Sequence, residues 1–368
     1  MKRILFLPDP QTDYGLDGLL VGLYELSDVD VYEYPEKESL HGKVHCGYDL
    51  EGNPGGGMTA PGGYLTSAPL PGPFHSKEEI FDIFPHFDLI LMGVRDYSLR
   101  AIKELCQARN ITLGSLSNLV ICEAEDYQQI SFDILNTYKP ILYAKRELNA
   151  AYSLSAFAGH YGTPIIPCPF SAFLRGLPEV DDLDKIWDVF IAVGQTNQAR
   201  NVLLLALIEL VKNGKLDRKT AWIATNDNAD IYLQNRDLMS GMLQWGDYIK
   251  NQARAKIGLS VPGFGNDTLH HWELTSFATL CMYLHPGIHL PYPFIDRKHC
   301  VHLNADLSNL EKEIAYYLQH EDKREAIAKA GKAHCRQYHS TSARASYLLN
   351  IAMRVLGGEK VDWEEYGL

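Results

Sequence analysis

The turn Pro262-Gly263-Phe264-Gly265-Asn266-Asp267-Thr268 lies between a short apolar segment and an amphipathic one, and three of its residues can cap a helix start. Its glycines let backbone approach a ligand closely. The free N–H groups and partial positive charge of a helix N-terminus suit a phosphate. Projected at about 100° per residue, an expected helix over 268–280 places Leu269, Trp272, Ser276, Phe277 and Leu280 on one stripe, with Glu273 among them. A carboxylate on the packed side of a helix needs hydrogen-bond donors to offset its desolvation. Two kinds of partner meet that need: an Arg or Lys from elsewhere in the fold, or the neighbouring hydroxyls of a nucleotide ribose.

A second stretch has similar properties. The run Gly194-Gln195-Thr196-Asn197-Gln198-Ala199-Arg200 follows an expected strand over 187–193 and opens a helix that continues to 211. A cation in the first turn of a helix opposes the macrodipole by a few tenths of a kcal/mol. An anion bridging Arg200 and the N–H groups removes that conflict, and so does an acidic linker within reach of the side chain. A strand over 221–225 ends at Asn226, Asp227 and Asn228. In the first half, Asp9, Asp13 and Tyr14 follow the first strand, and Asp13 is placed either to join a site there or to cap the next helix.

The elements that must position these residues alternate in type. Strands at 3–7, 29–34, 87–93, 111–114, 140–143 and 164–169, with helices at 16–26, 95–108 and 125–137, spell a doubly wound α/β domain. Lys145-Arg146-Glu147 opens a further helix there, and Arg95, Lys145 and Arg146 follow strand ends where they could hold anions. The acidic run 177–185 reads as a linker. The second half repeats the pattern, with a helix at 238–253, strands at 256–261, 281–284 and 300–303, and amphipathic helices at 307–320, 322–338 and 341–356. Residues 36–76 are rich in Gly and Pro but lack the Lys-Ser/Thr ending of a phosphate-binding P-loop, and are read as a flap. The Asp-x-Asp pairs Asp28/Asp30 and Asp182/Asp184 stand at a strand entry and in the linker, so no metal is inferred from them.

Composition sets limits. The 368-residue chain, 46% hydrophobic, is long enough for two ordinary cores, and no run approaches the roughly 18 apolar residues of a membrane helix. Seven dispersed cysteines without CxxC spacing, and an N-terminal apolar run stopped by Pro8-Asp9, point to reduced thiols and a cytoplasmic location. A net charge of −12 disfavours nucleic acid as a partner.

With these residues placed, 248–347 resembles the C-terminal, donor-binding half of GT-B glycosyltransferases, the glycosyl transferase group 1-like domain, and within them the spore-coat-maturation (CgeB-like) branch. The features that carry the resemblance are Trp272-Glu273 after the glycine turn, Pro293-Phe294-Ile295-Asp296 before the strand at Val301, and Arg324 to Ala328 leading to Ala330-Gly331. Gly194 to Arg200 matches the family's glycine after its first C-domain strand and an arginine a turn later. The resemblance implies an α/β GT-B fold in which two Rossmann-like domains with parallel sheets face a cleft. The first (1–176) is acceptor-side and the second (186–340) binds the donor, with a C-terminal helix (341–368) crossing back to the first.

It also implies a sugar transferase of hexosyl or related type, using a nucleoside-diphosphate sugar without metal or other cofactor and acting on an acceptor that is a glycan, protein or small molecule. Glu273 would hold the ribose. Gly194, Arg200 and the turn Gly263, Gly265, Asn266, Asp267 and Thr268 would hold the diphosphate, and Asn226 would stand near the base. Arg200 and a protonated His270 would stabilise the leaving group. Asp13 is the expected base among Asp13, Asp96, His41 and His160. The chain departs from the family pattern at Gly265, where many retaining members have a second acidic residue, and at His270, where CgeB-like chains have arginine. Two rival readings use the same pocket: an epimerase-like enzyme acting on a nucleotide-sugar, and a non-catalytic glycan- or nucleotide-binding assembly protein.

Overall fold

Strands of a parallel sheet covered on both faces should be continuously apolar. Leu89–Met92 and Leu119–Glu123 are buried along their whole length. A computed structural model of the protein describes residues 1–42, 68–177, 180 and 183–368. The chain divides into two compact units, one of Met1–Gly176, Gly287–Pro293 and Ser340–Leu368, the other of Leu177–Pro286 and Phe294–His339.

The first unit runs β1 (Lys2–Leu7), α1 (Tyr14–Tyr24), β2 (Val29–Glu33), α2 (Lys77–Ile83), β3 (Leu89–Met92), α3 (Asp96–Ala108), β4 (Leu119–Glu123), α4 (Phe132–Tyr138), β5 (Leu142–Lys145), α5 (Leu154–Tyr161) and β6 (Ile165–Pro167). Among the described residues, six strands form one sheet in the order β2-β1-β3-β4-β5-β6, with every pairing in it parallel.

The second unit runs β7 (Trp187–Ala192), α6 (Gln198–Lys212), β8 (Ala221–Ala224), α7 (Asp230–Gln234), α8 (Trp245–Ala253), β9 (Ala255–Ser260), α9 (Leu269–Ser276), β10 (Leu280–Leu284), β11 (Val301–Leu303), α10 (Leu310–Gln319) and α11 (Glu321–Tyr338). Its five strands are also all parallel, ordered β11-β10-β9-β7-β8. Leu203, Leu204, Leu207 and Ile208 of α6 are fully buried in the core beside this sheet.

The last helix, α12 (Thr341–Leu356), belongs to the first unit and packs on α1. The approach is close enough that a Cβ at Gly22 would lie 2.1 Å from the Thr341 carbonyl oxygen. Thr341 Oγ1 also donates to Glu25 at 2.6 Å. The stretch 287–293, expected in the second domain, joins the first instead, because the Ala150 amide donates to Gly287 (3.0 Å) and the His289 amide to Leu148 (2.7 Å).

Several expected elements shift. The strand expected at 111–114 is a helical turn, Leu113–Ser115, and the apolar run Leu119-Val120-Ile121-Cys122 supplies β4. Lys145, expected to open a helix, ends β5, and the next helix begins at Leu154. The helix expected from 268 to 280 stops at Ser276, because Ala278 takes a left-handed conformation (φ 53°) and Leu280 enters β10. The flap is outside the described residues over 43–67, as is Asp182 of the linker. No helix among the described residues is long and apolar enough to cross a membrane.

Candidate active site

Parallel pairing of β7 with β9, in register at Val189↔Ile257 and Phe190↔Gly258, brings the loops after these two strands side by side. The first loop carries Gly194 and ends at Asn197, whose side chain caps α6 by accepting from the Arg200 amide at 3.1 Å. The second carries Pro262 and Gly263. Asn197 Nδ2 donates to the carbonyls of both, at 2.9 and 2.6 Å. Arg200 fastens the same pair of loops, with Nε donating to Pro262 O (3.0 Å) and Nη1 to Gly194 O (2.9 Å).

Arg200 is buried, and that desolvation lowers its pKa. Its remaining nitrogen, Nη2, has no partner among the described residues and faces Gly263, where a Cβ would lie 2.7 Å from it. The arginine in the first helical turn is thus answered by two carbonyls, not by the acidic linker, and one N–H face is left for an anion.

The turn beyond Gly263 is braced from inside. Gly263 N donates to Gly265 O at 2.9 Å. Asp267 accepts from Trp272 Nε1 at 2.9 Å, and His271 Nε2 stands 3.3 Å from the same oxygen. Thr268 Oγ1 meets Ser260 at 3.3 Å and His271 at 3.5 Å. The side chains of Asp267 and Thr268 therefore hold the loop's shape. Thr268 makes no side-chain cap, so an anion here would be met by first-turn amides of α9.

Helix α9 has no exposed face over 271–276: His271, Trp272, Glu273, Leu274, Thr275 and Ser276 are all buried. The expected apolar stripe is replaced by a helix covered all round, which polar residues tolerate only with partners. Glu273 Oε2 accepts from Tyr248 Oη and Gln252 Nε2, each at 2.9 Å. These donors sit four residues apart on one face of α8. No Arg or Lys pairs with Glu273, and Oε1 has no partner among the described residues. Burial raises the Glu273 pKa, and the bonds from Gln252 and Tyr248 offset part of that rise.

His270 is half-buried by surface area, yet its ring is enclosed by protein. Desolvation, then the charge of Arg200 and His271, pushes its imidazole down to about 3. In the free protein this favours the neutral ring, with Nδ1 buried and unpartnered. Thr196 Oγ1 and Thr225 Oγ1 are buried without partners as well, on the loops after β7 and β8. Asn226 is exposed, with Oδ1 3.4 Å from the Cβ position of Gly194. Sequence reasoning missed Tyr248, Gln252, Thr196 and Thr225. The Tyr-x-x-x-Gln spacing was the one available signal for the first two.

In the first unit, Asp13 is the helix cap. Oδ1 accepts from the Gly15 and Leu16 amides at 3.1 and 3.0 Å, and Oδ2 lies 3.8 Å from Arg95. The cap occupies Oδ1, so the base role expected of Asp13 would fall to Oδ2. Asp13→Asn is expected to leave stability near that of wild type, since Asn caps as well as Asp, whereas Asp13→Ala should cost roughly 0.5–2 kcal/mol. Denaturant midpoints check this. A loss of about 10³-fold in initial rate for the Asn variant would place the base at Oδ2.

The other candidates are paired or exposed. Burial opposes charge on His41, but the Glu33 carboxylate 2.7 Å away outweighs it and raises the pKa. Asp96 is exposed at the start of α3, 3.7 Å from Arg100, and His160 is exposed on α5. The expected anion holders are paired: Arg95 with Glu125 (2.6 Å), buried Lys145 with Glu123 (3.2 Å), and Arg146 with Asp126. Asp28 pairs with Lys2, and Asp30 with His75 at 2.9 Å.

Residues 224–350 match a family described as glycosyl transferase-like, a span that holds α9 and Glu273. No curated protein matches the chain in sequence. Among solved structures, a glycosyltransferase from Rickettsia africae ESF-5 is similar over 97% of this chain and 99% of its own, at 12% identity and a TM-score of 0.61. HepE from Anabaena, in complex with UDP-glucose, is similar over 95% and 99% at 11% identity, with a TM-score of 0.54. Sucrose-phosphate synthase from Thermosynechococcus elongatus is similar over 98% and 100% at 12% identity, with a TM-score of 0.54. At such identities the likeness defines the fold. The chain is an α/β protein of the GT-B glycosyltransferase fold, with two Rossmann-like units.

Proposed function

We propose that this protein is a glycosyltransferase that moves a hexosyl or related group from a nucleoside-diphosphate sugar to a glycan, protein or small-molecule acceptor, acts in the cytoplasm and is allied to the CgeB-like branch. One observation carries this reading. Glu273 is a buried carboxylate held through a single oxygen by two neutral donors, and its other oxygen is left to accept. A buried ion pair would have placed a cation there. A ribose offers hydroxyl donors, and the glycine loops tethered by Arg200 lie on the same sheet edge to receive the diphosphate.

In this reading, breaking the bond between the anomeric carbon and the diphosphate transfers negative charge to phosphate oxygens. Arg200 Nη2 and the first-turn amides of α9 are the groups that would stabilise it, and preorganised electrostatics of this kind dominates such sites. These groups answer the leaving-group charge without calling on a metal.

HepE was captured with UDP-glucose, which makes UDP the first ligand to try. Calorimetric titration of the full chain with UDP, GDP, ADP and dTDP is expected to show one of them binding. The corresponding nucleotide-sugar should then be slowly hydrolysed without acceptor and release nucleoside diphosphate. Absence of binding by all four overturns the reading. Binding without any turnover would support an assembly role, and an altered sugar still attached to nucleotide would support the epimerase-like one.

A further inference from the structure

A neutral imidazole donates from one nitrogen and accepts at the other, so a histidine whose two nitrogens both face acceptors needs a second proton. Two histidines of the first unit stand in that position. His41 Nδ1 lies 2.9 Å from Pro71 O, and its Nε2 lies 2.7 Å from Glu33 Oε1. His75 Nε2 lies 2.9 Å from Asp30 Oδ1, and its Nδ1 lies 3.1 Å from Glu79 Oε1. All four partners are carbonyl or carboxylate oxygens. A neutral ring would turn a lone pair toward one of them at hydrogen-bond distance, so each arrangement holds one proton more than a neutral ring beside a carboxylate.

Both histidines fasten the same pieces of chain to β2, which carries Asp30 and Glu33 and stands outermost in the first sheet among the described residues. His41 is in segment 34–42, and Pro71 and His75 are in segment 68–76. The two segments also meet directly, the Leu70 amide donating to Leu40 O at 2.8 Å. Neither the His41 nor the Glu33 side chain exposes any surface. Glu33 is itself fixed, Oε1 accepting from Tyr24 Oη at 2.6 Å and Oε2 from the Lys37 amide at 3.1 Å. His75 is pinned by Tyr32, the stacked rings having centroids 3.5 Å apart.

Among the described residues, the titratable groups around His41 are Glu33 of β2, Tyr24 of α1 and Glu36 of its own segment. Those around His75 are Asp30 and Tyr32 of β2 and Glu79 of α2, with Arg3 of β1 beyond them. Lys37 turns its ammonium elsewhere. It donates to Asp9 O and Gln11 O and pairs with buried Asp17 at 2.8 Å, so segment 34–42 also braces the loop after β1.

We propose that His41 and His75 form a pH-sensitive clasp that holds segments 34–42 and 68–76 on β2 and loosens as the rings lose a proton to solvent. With one N–H left, His41 can serve Pro71 O or Glu33 Oε1, and the other oxygen loses its donor. The direction follows from His41: burial opposes its charge, but the bond and charge of Glu33 outweigh burial and raise its pKa. A group raised in the folded state contributes fully below its unfolded value, and that contribution is lost as pH rises through the folded value. The clasp is therefore closed in mild acid and opens as pH climbs above the ordinary histidine range. This holds whether or not the protein transfers sugars.

The test is amide hydrogen exchange of the full chain from pH 6 to pH 9, each rate divided by the intrinsic rate at that pH, with a peptide covering β4 as reference. Peptides covering 34–41 and 68–76 are expected to lose at least about tenfold in protection relative to β4 as pH rises, the loss of a charge-assisted bond. In His41→Gln/His75→Gln, which has no ring to titrate there, protection of both segments should be low at pH 6 and no longer change with pH. Glu33→Gln, close to Glu in shape, should lower the protection of both segments at pH 6 and is the variant to read if the histidine pair does not fold. Protection in wild type that stays level from pH 6 to pH 9 overturns the clasp by itself. A fall of equal size in wild type and variant assigns it to another group and overturns the clasp as well.

Discussion

Glu273→Gln is expected to weaken nucleoside diphosphate binding on the order of 10–100-fold while leaving the free protein as stable as wild type or more so. The two effects have separate causes. A hydrogen bond to a charged acceptor is worth about 1.5–3 kcal/mol, and Gln offers the ribose a neutral one. In the free protein the carboxylate is the strained partner, because burial disfavours its charged form and raises its pKa. The sign follows by linkage. An acid whose folded pKa lies above its unfolded value contributes stability while protonated, and that contribution is lost as pH rises from the ordinary Glu range through the folded value. The Gln variant lacks that loss, so the stability difference in its favour should grow from pH 4 upward. Calorimetric titration and thermal melts at several pH values measure both. Unchanged affinity would remove Glu273 from the donor site, and strong destabilisation would make it a structural residue.

Arg200→Ala should do more damage, and to both quantities. Its guanidinium ties Gly194 O to Pro262 O, and Asn197 is left as the other side-chain tether between these loops. Losing a buried donor from two carbonyls costs roughly 2–4 kcal/mol of stability, and losing the anion-facing nitrogen should lower the transfer rate by about 10²–10³. Arg200→Lys is the sharper variant. It keeps the charge, but an ammonium cannot reach two loops and an anion in a planar fork, so loop order should stay poor although electrostatic attraction returns. Denaturant midpoints and single-turnover rates would show this. A Lys variant equal to wild type in both would mean that charge alone is needed.

The architecture was largely legible because parallel α/β units write themselves locally. Apolar runs such as Ile4 to Leu7 or Val189 to Ala192 must be covered on both faces, and amphipathic runs such as 341–356 must cover them, so alternation alone indicates two Rossmann-like units. Boundaries failed where a local signal was ambiguous. Ile111 to Leu113 and Leu119 to Cys122 are both short apolar runs, and only burial between β3 and β5 selects the second.

Residue identities by themselves determined that Gly194 to Arg200 and Gly263 to Thr268 would be loops entering helices, and that Glu273 would sit on a packed face. Spacing along the chain fixes both outcomes. Tertiary structure alone decided what those groups touch. It gave Arg200 the carbonyls of Gly194 and Pro262, and set Tyr248 and Gln252 in place of a cation at Glu273. It also set His41 and His75 each between two acceptors. The physical reason is range. Periodicity and capping act within about four residues of chain, whereas desolvation and hydrogen-bond satisfaction depend on neighbours tens of residues away, and those neighbours exist only once β7, β9 and β10 have paired.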